Sequence, residues 1–250
     1  MRPNPSGMYT MSPAIIGVVG SSNVDVICPS MRKLLKSAWR VGRLIAAEGH
    51  IVLTGGHHKV AEHSVKHFAL LGAFDSEGTE RRVGVIGIPP AHFSTSKHVK
   101  ISARRNEKYA PDDGSLGWVY IHTLYDSEKR NPLNGKTPDV MIALSGGPGT
   151  VQEMQEALNV GRRVILLKPY SDEQQKILSC HPEDVFEVGS ESEAVEKAIA
   201  LVGKGEFPGS YRNLGMEFCL EARKEIAFLR DWVAETPRRK AANPAPAADG

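Results

Sequence analysis

The chain has 250 residues, enough for one large α/β domain with a substantial core and a small appendage at most, and one main domain is the expectation. Its 31 Lys and Arg against 29 Asp and Glu leave a net charge of +2, which removes the electrostatic case for DNA, RNA or an anionic membrane surface as a partner; any anion must be recognised locally. Cys28, Cys180 and Cys219 stand far apart without CxxC spacing, which fits a reducing compartment, the cytoplasm by default, and no apolar run of about 18 residues offers a membrane span.

Residues 1–13 read as a flexible leader, because the apolar run from Ala14 to Val19 is too short for a signal peptide and ends in a glycine turn. Ile15 to Val19 (IIGVV) forms a short buried strand followed by GSSNVD. Ser30 is placed to cap the next helix, in which Leu34, Ala38, Val41 and Ile45 recur at helical spacing and Gly49 supplies the stop. Ile51 to Leu53 is a second strand running into TGGHH, and Ala61, Val65 and Phe68 share one face of the helix after it. Val83 to Ile88 (VGVIGI) is a third strand, ended by Pro89 and Pro90, which cannot continue a ladder.

Residues 107–138 are polar and turn-rich around one apolar island, WVYIHTLY, and read as an insertion carrying a short strand or hairpin, a lid or a subunit contact. Val140 to Leu144 and Val164 to Leu167 are two further strands, with a helix from about Thr150 to Val160 between them and Gly161 closing it. Cys219, Ala222, Ile226, Leu229 and Val233 mark an amphipathic C-terminal helix over 214–234, which packs either on its own domain or against a second copy. Residues 235–250 hold no large apolar side chain and read as a disordered tail, so the folded unit spans 14–234.

Short apolar strands alternating with helices predict an α/β fold: a doubly wound, mostly parallel, Rossmann-like sheet with ligands outside the carboxyl ends of its strands. Three glycine loops fall at that edge, and they supply the candidate phosphate- or nucleotide-binding residues: Gly20, Ser21 and Ser22; Gly55 and Gly56; Gly146, Gly147, Gly149 and Thr150. In SGGPGT the glycines let backbone N–H groups approach an anion, and the helix that follows adds its own unpaired N–H groups. The spacing is neither the dinucleotide GxGxxG nor the P-loop GxxxxGK[ST]. Glu153 and Glu156 follow on one side of that helix, a position acids also take for electrostatic reasons alone. Arg104, Arg105 and Asn106 offer a planar fork for an anion, or a solvated basic turn. His63 and His67 have i, i+4 spacing but face away from Ala61, Val65 and Phe68, so no metal site is expected; His57 and His58, beside Gly56, are better placed to touch a ligand. STSKH at 94–98 gives its lysine no pyridoxal-phosphate context.

These motifs resemble the Lonely Guy group of Rossmann-like proteins, also labelled lysine decarboxylase-like, whose signature PGGxGTxxE reads SGGPGTVQE at Ser145 to Glu153. IGVVGSSN and LTGG are similar to that family's first two loops, ARRN at 103–106 resembles its arginine motif, and the resemblance spans residues 14–202. It implies a phosphoribohydrolase that splits a nucleoside 5′-monophosphate into base and ribose 5-phosphate without metal or cofactor. Glu153 would hold the ribose and stabilise an oxocarbenium-like transition state, with Arg105 orienting the substrate. A homodimer with a small-molecule nucleotide as its partner is also implied. Ser145, Pro148, Gln152 and Asn106 depart from the family pattern. With the altered HHKVAEH stretch they are closer to a branch of nucleotide-binding or molybdenum-cofactor carrier proteins, the alternative of a non-catalytic carrier or sensor.

Overall fold

The apolar segments pair into one eight-stranded sheet in the computed structural model, which describes residues 13–22, 28–55, 63–76, 83–88, 100–105, 116–122, 125–203, 227 and 229–231. In chain order the elements are β1 (Ile15–Gly20), α1 (Pro29–Ala47), β2 (Ile51–Thr54), α2 (Val65–Phe74), β3 (Val83–Gly87), β4 (Lys100–Arg105), β5 (Leu116–His122), α3 (Ser127–Lys136), β6 (Val140–Leu144), α4 (Pro148–Asn159), β7 (Arg163–Leu167), α5 (Asp172–Cys180), β8 (Val185–Val188) and α6 (Glu191–Gly203). Across the sheet the strands run β4-β5-β3-β2-β1-β6-β7-β8, all pairs parallel except the antiparallel β4–β5 at the edge. This is the doubly wound, mostly parallel sheet that the alternation of strands and helices predicts.

Side chains alternate along each strand, so each strand feeds two cores. Ile16, Val18, Val52, Ile142 and Ile165 face α1, α2 and α6, while Met141, Ala143, Val164 and Leu166 face α4 and α5. A third cluster, Ile15, Ile51, Leu53, Ile86, Val119 and Ile121, is covered by Leu133 of α3 and by Leu229. Gly42 and Gly72 let α1 and α2 approach closely: a Cβ on Gly42 would run into the Ala69 backbone, and one on Gly72 into the Trp39 backbone.

Three sequence expectations are corrected. Residues 107–138 are not wholly an insertion, because β5 lies inside the sheet between β4 and β3 and α3 packs along α4. The short strand expected in WVYIHTLY is β5, and its pairing with both β4 and β3 makes it part of the sheet instead of an appendage. Ser30 is not the cap of α1; Cys28 holds the N-cap position and Pro29 starts the helix, as the fixed proline φ favours. The sheet also contains β4 and β8, which no periodicity marked. Of the predicted C-terminal helix, residues 227 and 229–231 are helical, and Leu229 is buried in the chain's own core. Cys219, Ala222, Ile226 and Val233 lie outside the described residues, as do the leader up to residue 12 and the tail at 235–250.

Candidate functional site

The chain leaves β1 towards β2 on one side and later leaves β6 towards β7 on the other, so the crevice between the carboxyl ends of β1 and β6 is the topological switch point of the sheet. Gly20 and Leu144 pair at that edge. A Cβ on Gly20 would collide with the Leu144 carbonyl and the Val65 side chain, so glycine permits the close approach. The Ser21 carbonyl accepts from the Val65 N–H at 3.0 Å, which docks the start of α2 on the first loop, and Ser22 is exposed.

After β6 the backbone turns sharply. Ser145 has φ 49° and Gly146 φ 131°, both in the left-handed region. Proline, with φ fixed near −65°, could not take the Ser145 conformation, which gives the departure from the family pattern a structural meaning. Gly147 is the N-cap of α4 and makes no side-chain cap, and Pro148 occupies the first turn. Gly147, Pro148 and Gly149 are exposed, while Thr150 is buried beneath Gly146. Pro148 has no N–H and the Thr150 N–H donates to the Gly147 carbonyl at 3.0 Å, so the N–H groups of Gly147 and Gly149 are the ones left at the open edge, with the positive end of the helix dipole behind them.

One turn further along α4 lies a buried charge cluster. Glu153 is 0% exposed. Its Oε1 accepts from Lys66 Nζ of α2 at 2.7 Å and from Asn134 Nδ2 of α3 at 2.7 Å, and Arg130 Nη1 of α3 lies 3.6 Å away. Burial lowers the Lys66 pKa from its ordinary value of 10.5; Glu153 opposes that shift and the Arg130 guanidinium adds to it. Burial also lowers the pKa of Arg130, again opposed by Glu153. With Lys66 and Arg130 protonated, two cations face one carboxylate among the described residues, an excess of one positive charge. Glu153 Oε2, Arg130 Nε and Asn134 Oδ1 have no hydrogen-bond partner among the described residues. Gly55 closes the cluster from the end of β2: a Cβ there would overlap Arg130 Nη1 and come within 2.9 Å of Lys66 Cδ.

The contact between α3 and α4 builds this cluster. A Cβ on Gly135 would reach 2.5 Å from the Glu153 carbonyl and 2.7 Å from Glu156 Cβ, so glycine lets the two helices touch and brings Arg130 and Asn134, one helical turn apart, to Glu153. Glu156 pairs with Lys136 at 3.0 Å across the same contact, a structural role. Pro132 has no N–H to offer the Glu128 carbonyl, and Gln152 Nε2 reaches that carbonyl at 3.5 Å while Gln152 Oε1 accepts from Asn131 Nδ2 at 3.0 Å. An acid at position 152 could accept but not donate, which accounts for the amide there.

The structure therefore gathers Gly20, Ser21, Gly55, Gly146, Gly147, Gly149, Thr150 and Glu153 at one edge, with Ser22 beside them; Gly56, His57, His58 and Asn106 lie outside the described residues. It does not bring Arg105 there. Arg105 ends the antiparallel outermost strand and pairs with Gly117 near the start of β5, at the edge where the parallel strands begin and roughly 19 Å of sheet from β1. The arginine beside Glu153 is Arg130. The dipeptide Arg-Asn occurs at 105–106, 130–131 and 212–213, and only the second stands on the helix leading into β6. That position was the available signal. Lys66 carried none, since it reads as the polar face of an amphipathic helix, and Asn134 carried none, since it falls in the stretch read as a turn-rich insertion. Among the described residues there is no group of three or more His, Cys, Asp or Glu able to hold a metal, and no helix long and apolar enough to cross a membrane.

A family model described as the SLOG cluster4 family matches residues 13–199. An uncharacterised protein of Archaeoglobus fulgidus is 30% identical over 155 residues, covering 62% of this chain and 80% of that protein. Among solved structures, the molybdenum cofactor binding protein of Rippkaea orientalis is similar with a TM-score of 0.55 and 28% identity, over 77% of this chain and 99% of that one. The Moco carrier protein of Chlamydomonas reinhardtii is similar with a TM-score of 0.55 and 25% identity, over 78% and 100%.

Proposed function

The chain belongs to the SLOG cluster4 family, and on that premise we propose that it is a binding protein for a small phosphorylated molecule of nucleotide or molybdenum-cofactor type, which it carries without cleaving. The observation behind this reading is the Lys66–Glu153–Arg130 cluster, with two buried cations on one carboxylate at the switch point of the sheet. A buried charge without a partner is costly, and an anionic ligand neutralises it. The N–H groups at the start of α4 provide neutral donors for the same anion. Two similar solved structures, at 28% and 25% identity, are named for binding or carrying the molybdenum cofactor, which supports that cofactor as the cargo.

Hydrolysis of a nucleoside monophosphate is the second reading, favoured by the unpartnered Oε2 of Glu153. In that chemistry Glu153 would stabilise an oxocarbenium-like transition state, with Arg130 rather than Arg105 orienting the substrate. The charge balance argues against it. Glu153 is already neutralised by Lys66, and a further cation beside Arg130 would develop in a positive field.

The test is calorimetric titration of the protein with AMP, with the mixture analysed for free adenine and ribose 5-phosphate and the purified protein assayed for molybdenum. Binding without base release, or molybdenum retained through purification, is the expected result. Base release abolished by Glu153→Ala would select the hydrolase, and absence of both AMP binding and molybdenum would refute the site.

A further inference from the structure

Gln174, in the first turn of α5, is a fully buried amide placed against the glycine loop of the neighbouring connection. Both ends of its side chain are committed. Oε1 accepts from the Ser171 N–H at 3.0 Å as half of a capping box. Nε2 donates to the Ser145 carbonyl at 3.1 Å and lies 3.7 Å from Met154 Sδ. The residue it grips is the strained one, since Ser145 at φ 49° is the non-glycine residue with positive φ among those described. Such a conformation persists where the surroundings hold it.

In a trans peptide the carbonyl and the following N–H point in opposite directions. With the Ser145 carbonyl drawn towards Gln174 of α5, the Gly146 N–H is turned the other way, away from that helix. A Cβ on Gly146 would run into the Thr150 side chain, so the turn is close-packed at this residue.

We propose that Gln174 is a positioning residue for the anion site: by holding the Ser145 carbonyl it aims the Gly146 N–H at the ligand's phosphate. The inference rests on the reading of the crevice as a phosphate site. It makes part of the site's donor set depend on α5. Gln174 is thereby distinguished from an ordinary buried cap. Ser171 accepts from the Gln174 N–H at 3.4 Å and completes the same capping box without reaching the loop.

The test compares the full-length wild type with Gln174→Leu and Ser171→Ala, using AMP as the calorimetric probe and the Gly146 amide resonance as the local reporter. Gln174→Met, closer in length, replaces the leucine variant if that one fails to fold. Loss of one hydrogen bond to a charged group predicts AMP binding roughly tenfold to a hundredfold weaker in the Gln174 variant. The AMP-induced shift of the Gly146 amide should disappear with it. Ser171→Ala should lower thermal stability yet keep wild-type affinity and the Gly146 response. Unchanged AMP affinity in Gln174→Leu or Gln174→Met, or an equal loss in Ser171→Ala, overturns the positioning role while leaving the site intact. A wild type that neither binds AMP nor retains molybdenum removes the site and this role together; one that retains molybdenum without binding AMP is compared with the same variants by the molybdenum they keep, and equal retention overturns the role.

Discussion

Replacing Glu153 by Gln tests the charge balance of the cluster most sharply. The amide keeps the size of the side chain and one acceptor for Lys66 Nζ and Asn134 Nδ2, both at 2.7 Å, but removes the negative charge that both cations face. Two cations are then left buried, with Lys66 13% and Arg130 8% exposed in their side chains, too little for water to screen them. Breaking a buried ion pair by removing one partner costs about 3–5 kcal/mol. In a chain of this size that is a fall in Tm of roughly 6–20 °C. The variant should also respond more strongly to anions, because its site carries two positive charges instead of one. Saturating phosphate at a hundredfold excess over Kd restores about 2.7 kcal/mol. Thermal melts followed by circular dichroism, with and without phosphate, measure both effects. A Glu153→Gln protein as stable as the wild type, or one that phosphate stabilises no more than the wild type, would refute the charge balance assigned to the cluster.

Lys66 supplies a pH dependence. Its folded pKa lies below 10.5, so between that lowered value and 10.5 the unfolded chain binds more protons, and its contribution to stability rises with pH. AMP affinity should fall over the same window as the ammonium discharges; titrations at increasing pH read this, and Lys66→Met should show neither effect. Gly135→Leu, by wedging α3 off α4, should cost about 1–3 kcal/mol and weaken AMP binding, measured by urea denaturation and calorimetry. Ser145→Pro cannot reach φ 49° and should cost more than about 1 kcal/mol together with most of the AMP affinity, whereas Ser145→Gly should keep both.

The five strands β1, β2, β3, β6 and β7 were legible because a parallel strand buried on both faces is a plain apolar run, and each of β1, β2 and β6 runs into a glycine that the turn needs. Their order placed the glycine loops at one edge. β5 was less legible: its apolar run is plain, but its neighbours β3 and β4 are set by pairing across the sheet, and the polar residues around it suggested an appendage. The cluster on Glu153 was only one-third legible. The glutamate follows a glycine motif, but Lys66 and Arg130 sit on helices where a charged residue ordinarily faces water, and only the meeting of α2, α3 and α4 buries them. Arg105 illustrates the converse. It has the residue type and the Asn neighbour, yet β4 runs antiparallel and carries it to the opposite edge of the sheet.

A crystal structure of the protein with AMP tests the central claim most directly. The phosphate is predicted to lie in the β1–β6 crevice, within hydrogen-bond reach of the N–H groups at the start of α4 and of the Lys66 and Arg130 side chains. A phosphate bound elsewhere on the sheet, with Lys66 and Arg130 still closed on Glu153 alone, would contradict it.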